Sequence, residues 1–358
     1  MKVLHVFFSS VVNPQHRFLG TTKDIRGRTE YFLKRMIDYQ ELILKIRKEK
    51  YFRRGLQEID LKKFDAVLIE GAYYPGSVRY LKTNYPHLKI IIRGINAELF
   101  HWMHSAYAAV TFDSLKRAIG DLKGVVQFGL SDIRCGRQAD YVLPIAQWET
   151  LHYWNKFVPR RRLATVPYFL PDSYLKTIPS SRPKKPQCVC MMTTKAGRPF
   201  LLDAARELFK LVNQLGDGEP QWSFCITGDF RPELLPPCPR VEVKGFLENP
   251  LELLAESRAV ALLSDYGFGF KTKLLDAICC GCFLLVKKKL YSRLPPEVQR
   301  YCIVIDVRSI NSFRDALARC LDPFPPGDPN GALREEAFSA LDRVLGVSGQ
   351  TQLSLSAG

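Results

Sequence analysis

The sequence predicts an α/β protein made of two domains, each a doubly wound parallel sheet. Three observations carry this. Short apolar runs recur along the chain, and the stretches between them are long enough for a crossover helix. A length of 358 residues suits about two domains. Pro171 to Pro186 holds four prolines among serines and lysines and reads as the linker between them.

Composition narrows the class. An apolar content of 46% with 25% charged residues is ordinary for a globular protein. A net charge of +16 is not, and it is uneven: residues 1–178 carry 29 Lys and Arg against 16 Asp and Glu. A basic first half implies an anionic partner. Nucleic acid and an anionic membrane surface both fit. No nucleic-acid-reading motif accompanies the charge, which favours a membrane surface or an anionic acceptor. The ten cysteines are scattered and often sit in apolar runs, as small hydrophobes do. Cys279, Cys280 and Cys282 cluster without CxxC spacing, so no metal site is expected. A reducing cytoplasm follows, with peripheral attachment at the inner face of the membrane. The first residues, MKVLHVFFSSVV, lack a small-x-small cleavage pattern and read as a buried strand rather than a leader. No run approaches the ~18 apolar residues of a membrane span.

Taken in order, Val3 to Phe8 is the first expected strand and Ser9 to Gly20 a loop. Arg28 to Lys50 reads as one helix with a cationic end. Phe64 to Glu70 is a strand, Tyr73 to Gly76 opens a helix, and Leu88 to Ile92 is the next strand. Asp132 to Asp140 reads as a helix leading into the strand Tyr141 to Leu143. Ala146 to Phe157 is an aromatic-rich helix, and the triplet Arg160 to Arg162 precedes a strand, Leu163 to Val166. Beyond the linker, Cys188 begins a strand that ends near Thr194. Pro199 then suits the first turn of a helix reaching Leu215. Strands follow at Trp222 to Thr227 and Arg240 to Lys244.

The chain is organised around Asp265 to Val286, DYGFGFKTKLLDAICCGCFLLV. An apolar strand, Val260 to Leu263, leads into a turn with Gly267 and Gly269. A helix from about Lys271 to Cys280 follows, with Gly281 at its end, and then the strand Phe283 to Val286. Glycines let backbone approach a ligand, and amides of a first helical turn favour an anion. Lys273 and Asp276, three apart, share one face, while Leu274, Leu275 and Ile278 can pack on the sheet. A cation beside backbone donors suits a diphosphate; a carboxylate one turn on suits sugar hydroxyls. An ordinary polar helix face with a glycine lead-in has the same pattern. The remaining elements are a strand at Ile303 to Ile305 and helices at Asn311 to Leu321 and Leu333 to Val344.

The stretch G-x-G-x-x-x-K-x-x-D-A within this unit, with VEVKGFLENPLELLAESRAVALLSD before it, resembles the donor site of family 4 glycosyltransferases. These are retaining enzymes of the GT-B class. The resemblance implies two doubly wound Rossmann-like domains facing across a cleft. Residues 1–172 would be the acceptor-side domain, 173–186 the linker and 187–330 the donor domain. Residues 331–345 would be a helix packing back toward the first domain, and 346–358 a disordered tail. By the same resemblance Lys273 contacts the donor diphosphate and Asp276, standing where glutamate is usual, the ribose. Lys195 or Arg198 supplies a second basic group, and spacing does not choose between them. The turn, Gly267, Phe268, Gly269, Phe270, Lys271 and Thr272, lines the donor, and Gly245 with Phe246 holds the base. RGINAELFHWMH is similar to a segment beside the cleft: Arg93, Asn96 and Glu98 match, Ile95 stands where histidine is common, and His101 and His104 lie close by.

The resemblance further implies a UDP- or GDP-linked sugar as co-substrate, no other cofactor, no bound metal, and a glycan, lipid-linked or small-molecule acceptor. A non-catalytic relative that binds nucleotide or glycan, a nucleotide-sugar epimerase of the same architecture and a basic nucleic-acid-binding protein are the alternatives.

Overall fold

The computed structural model describes residues 1–9, 13, 16–46, 48–112, 114–179, 182–191, 199–215, 221–228, 235–265 and 270–347. The expected tail lies outside them from residue 348. The chain divides into two compact units. One comprises Met1–Glu98, Gln127–Pro171 and the C-terminal segment from Gly331; the other comprises Leu99–Val126 and Asp172–Asn330. Residues 99–126, placed in the first domain by the sequence reading, therefore group with the second unit.

The first unit holds five strands: β1 (Lys2–Phe8), β2 (Asp38–Leu44), β3 (Ala66–Glu70), β4 (Lys89–Gly94) and β5 (Tyr141–Pro144). They form an all-parallel sheet in the order β2-β1-β3-β4-β5. All five residues of β3 and most of β1 and β4 are buried, as expected for strands covered on both faces. The second unit holds β6 (Lys185–Met191), β7 (Ser223–Thr227), β8 (Val241–Gly245), β9 (Ser257–Leu262), β10 (Phe283–Val286) and β11 (Cys302–Val304). This sheet is also parallel, in the order β11-β10-β9-β6-β7-β8. Counted from β6, that is 3-2-1-4-5-6 in reverse, the doubly wound order of dinucleotide-binding sheets. Its core gathers Val241, Phe224 and Leu285 from the strands with Leu208, Val212 and Phe313 from helices.

Several expected elements change. The helix expected over Arg28 to Lys50 is the helix Gly20–Lys34 followed by β2. It stops because Met36 adopts a left-handed φ of 51° and the Ile37 amide reaches back to the Phe32 carbonyl at 2.9 Å. No glycine marks that stop, and β2 is an edge strand whose faces alternate in exposure. Leu163 to Val166 contributes an isolated bridge from Leu163 to Val142 rather than a full strand. The helix expected over Asp132 to Asp140 is the last part of a longer one, Leu115–Gln138. The aromatic helix ends at His152, with a 3-10 turn at Trp154–Lys156. The last helix, Pro329–Leu345, is held to the first unit through Asp342, which accepts hydrogen bonds from Tyr31 Oη (2.9 Å) and Arg35 Nη2 (2.8 Å). All ten cysteines are free thiols. No described helix is long and apolar enough to cross a membrane.

Candidate functional site

In the second unit, β6 and β9 lie side by side with β7 and β8 on one flank and β10 and β11 on the other. The connections reverse direction across the sheet between them. Parallel sheets bind ligands beyond the strand carboxyl ends at such a point. Both loops singled out from sequence leave from it. Residues 192–198 follow β6, and 263–272 follow β9. Of the site residues, Lys195, Arg198, Gly267, Phe268 and Gly269 lie outside the described residues. Phe270, Lys271 and Thr272 are half-buried, and Lys273 opens the helix Lys273–Cys279.

Lys273 faces the β6 side of this point. Burial pushes the Cys190 thiol on β6 up to about 12, and the Lys273 ammonium is the strongest charge acting against that. The helix-start amides differ from expectation. Leu274 N–H is bonded to the Lys271 carbonyl (2.8 Å) and Leu275 N–H to that of Thr272 (3.2 Å), so both are used within the turn. Side-chain cations, more than those amides, give the place its positive potential.

Those cations form a cluster. Burial, reinforced by Arg293, lowers the Lys271 ammonium to about 8. Burial also lowers His104 to about 4, with Lys289, Arg293 and Lys271 adding to it, so this imidazole is neutral at pH 7. Arg293 is itself lowered by burial, with Asp265 opposing. Arg293 lowers Lys271, and all three cations bear on His104, so the place is one whose natural complement is an anion. The strand ends are tied together around it. The Asp265 carboxylate pairs with Lys287 Nζ at 2.8 Å, and the Asp265 N–H donates to Asp203 Oδ2 at 3.2 Å. Asp203 belongs to the helix Pro199–Leu215 after β6, Asp265 follows β9, and Lys287 follows β10.

Asp276 is buried, at 4% exposure, one turn into the helix after Lys273. Tyr174 donates a hydrogen bond to its carboxylate; burial and then that carboxylate raise the phenol far above its ordinary value. Gly245 ends β8 with a φ of +64°, and a Cβ there would meet nothing within 4 Å. Phe246, 53% exposed, offers a ring face at the same carboxyl edge, two strands or ~10 Å from β6.

The four residues grouped on the acceptor side separate. Asn96 is half-buried after β4. His101 packs edge-on against Trp102 with centroids 6.1 Å apart. His104 belongs with the second unit's cations. Glu98 belongs to an acidic group in the first unit. It accepts a hydrogen bond from Tyr73 Oη (3.2 Å), and its backbone N–H donates to Asp132 Oδ2 (3.1 Å), which also accepts from Tyr153 Oη (2.6 Å). Burial, and then Glu98, holds the Asp132 carboxyl well above its ordinary value. Glu149 is pushed up to about 8 by burial, against the pull of Arg93. Behind these lies a buried ion network. Arg28 bridges Glu70 and Asp24, Arg93 Nη2 reaches Asp24 Oδ1 at 2.8 Å, and His5 Nε2 reaches Glu70 Oε1 at 2.7 Å. Burial alone would raise Asp24; Arg28 and Arg93 hold it far below the carboxylate range instead.

No protein-family model matches the sequence, and neither does any curated protein. Solved structures match it over nearly its whole length. Sucrose-phosphate synthase from Thermosynechococcus elongatus aligns with a TM-score of 0.56 at 12% identity, over 96% of this chain and 95% of that one. HepE from Anabaena, in complex with UDP and glucose, aligns with 0.54 at 11%, over 97% and 96%. A protein from Listeria monocytogenes described as a UDP-N-acetylglucosamine 2-epimerase aligns with 0.54 at 13%, over 96% and 94%. The chain has the GT-B fold. It thus comprises two Rossmann-like parallel-sheet domains of glycosyltransferase-like architecture.

Sequence reasoning named Lys271 and Lys273 but missed Lys289 and Arg293. The signal was there in VKKKLYSR, a cationic run directly after the buried strand β10. It also missed Glu149, Asp132, Asp24 and Arg28, which look like ordinary helical polar residues until the packing is known.

Proposed function

We propose that the protein is a retaining glycosyltransferase. It moves a sugar from a nucleotide diphosphate sugar, UDP- or GDP-linked, to a glycan, lipid-linked or small-molecule acceptor. One observation carries this reading: the cations Lys271, Lys273, Lys289 and Arg293 gather in the unit whose sheet reverses between β6 and β9, on segments leaving those strands and β10. A pyrophosphate is the complement that would restore the lowered Lys271 and Arg293. Phe246 lies within a nucleotide's reach along the same edge and suits the base. In the reaction the bond from the sugar carbon to the diphosphate oxygen breaks, the acceptor oxygen takes its place, and the hydroxyl proton passes to the leaving phosphate. Negative charge grows on the diphosphate as this happens. Lys273, with Lys271, Arg293 and either Lys195 or Arg198, stabilises it in the role a bound metal would otherwise take; each such group contributes about 10²-fold in rate. Retention of configuration rests on the family resemblance. The ten free thiols support a cytoplasmic setting.

A non-catalytic binding role is the second reading. It is favoured by Asp276, whose carboxylate is engaged by Tyr174 rather than presented openly. An epimerase of the same fold would instead draw on the buried carboxyl group of Glu98, Asp132 and Glu149. A thermal-shift screen of UDP-, GDP-, ADP- and dTDP-sugars, followed by product analysis, separates them. Transfer or hydrolysis that Lys273→Ala abolishes supports the transferase. Binding without turnover supports the second reading, and interconversion of the sugar without release supports the epimerase.

A further inference from the structure

The helices Glu98–Phe112 and Leu115–Gln138 carry a stripe of large apolar side chains that stand exposed among the described residues. On the first, Met103, Tyr107 and Val110 recur at four- and three-residue spacing and share one face, with Tyr107 63% exposed. On the second, Leu115, Ile119, Leu122 and Val126 do the same, with Leu115 69% exposed. All seven belong to the segment 99–126 of the second unit. The two helices are locked to each other on their inner sides. Trp102 lies over Gly124, where a Cβ would come within 2.5 Å of the ring, and Ser105 Oγ donates to Asp121 Oδ2 at 2.6 Å. Ala106, Ala108, Ala109 and Ala118 are buried, while the seven large side chains of the stripe are exposed. That inverts the usual arrangement of a surface helix. Contiguous exposed apolar surface of this kind marks an interaction site.

Charge decides what covers it. Lys116 and Lys123 lie seven residues apart on one flank of the stripe and are exposed. The nearby acid Asp121 is turned inward onto Ser105. The protein as a whole carries +16. Large apolar side chains edged by lysines describe a helix that lies in the plane of a bilayer, apolar face among acyl chains and ammonium groups at the headgroups.

We propose that this helix pair docks the protein on an anionic lipid bilayer. The inference does not depend on the nucleotide site. It also narrows the anionic-surface contact that the basic first half suggested to residues 99–126.

Flotation of the full-length protein with phosphatidylcholine vesicles, with and without phosphatidylglycerol, tests it. The wild type floats with the anionic vesicles. Leu115→Ser/Ile119→Ser/Leu122→Ser lowers the bound fraction at least about tenfold through lost apolar burial. Lys116→Ala/Lys123→Ala lowers it by about tenfold or more, each cation near an anionic surface being worth roughly fivefold. Arg160→Ala/Arg161→Ala leaves it unchanged. Circular dichroism confirms that the exposed-residue variants fold. Absent flotation, equal flotation on both vesicle types, or loss in the arginine variant but not in the stripe variant overturns the proposal. So does a dimer in sedimentation velocity that the triple serine variant renders monomeric without any vesicle binding, which would make the stripe an interface between copies.

Discussion

Affinity for a nucleoside diphosphate should depend on pH through Lys271. Burial and the neighbouring Arg293 hold its ammonium at about 8 against an ordinary 10.5. Below pH 8 the free protein already carries the charge that a diphosphate needs. Above pH 8 a proton must be taken up on binding, because the ligand's negative charge restores the ammonium. Affinity is therefore flat below pH 8 and falls with rising pH between the free and the bound pKa. One unit above the free value, about nine-tenths of Lys271 is neutral, so UDP should bind about tenfold more weakly at pH 9 than at pH 7, or ~1.4 kcal/mol. Lys271→Met should remove that slope and weaken binding at pH 7 by roughly 10- to 100-fold, the range for losing a hydrogen bond to a charged group. Arg293→Gln should move the onset of the fall to higher pH, since the repulsion that lowers Lys271 is gone. Isothermal titration calorimetry at pH 7, 8 and 9 reads all three, with the nucleotide's own titration common to wild type and variants. Equal pH slopes in wild type and Lys271→Met would refute the placement of the diphosphate beside this lysine.

Three further outcomes follow from the buried groups. Glu149 ordinarily titrates at 4.5 but keeps its proton to about 8 in the fold. Stability is therefore full below 4.5, falls as pH rises between those values and is level above. Glu149→Gln should gain on the order of 2–4 kcal/mol over wild type at pH 8 and little at pH 4.5, read from urea midpoints at both pH values; equal gains at both would reject the buried acid. Arg28→Met strands Asp24 and Glu70 without their shared partner and should cost about 3–5 kcal/mol in chemical denaturation. A loss under 1 kcal/mol would mean water reaches the network. Asp276→Asn should weaken UDP by about tenfold if the carboxylate holds the ribose, through loss of a charged hydrogen bond; unchanged affinity would leave Asp276 as Tyr174's structural partner alone.

How much of this was legible in the chain depends on where the physics is local. The strand Phe283–Val286 and the helix start at Pro199 could be read because each is fixed by a few adjacent residues: four apolar side chains, or a proline at the first turn. The helix carrying Lys273 could be read because a short stretch of chain joins it to the strand before it. The stop at Met36 could not, since a non-glycine residue takes the left-handed conformation there and an edge strand follows with alternating exposure. His104 could not be assigned either. Its chain position puts it after β4, but its electrostatic neighbours are Lys289, Arg293 and Lys271, more than 160 residues on. Likewise Asp24, Arg28, Glu70 and Arg93 are ordinary charges until two strands and a helix bring them together out of water.

The central claim is that a pyrophosphate rests beyond the carboxyl ends of β6 and β9. Crystals soaked with UDP or a UDP-sugar test it most directly. The account predicts phosphate density within hydrogen-bonding distance of Lys273 Nζ, with Lys271 and Arg293 beside it and the base toward Phe246. Nucleotide bound at another place, or this place closed by side chains in a crystal whose protein binds UDP in solution, would contradict it.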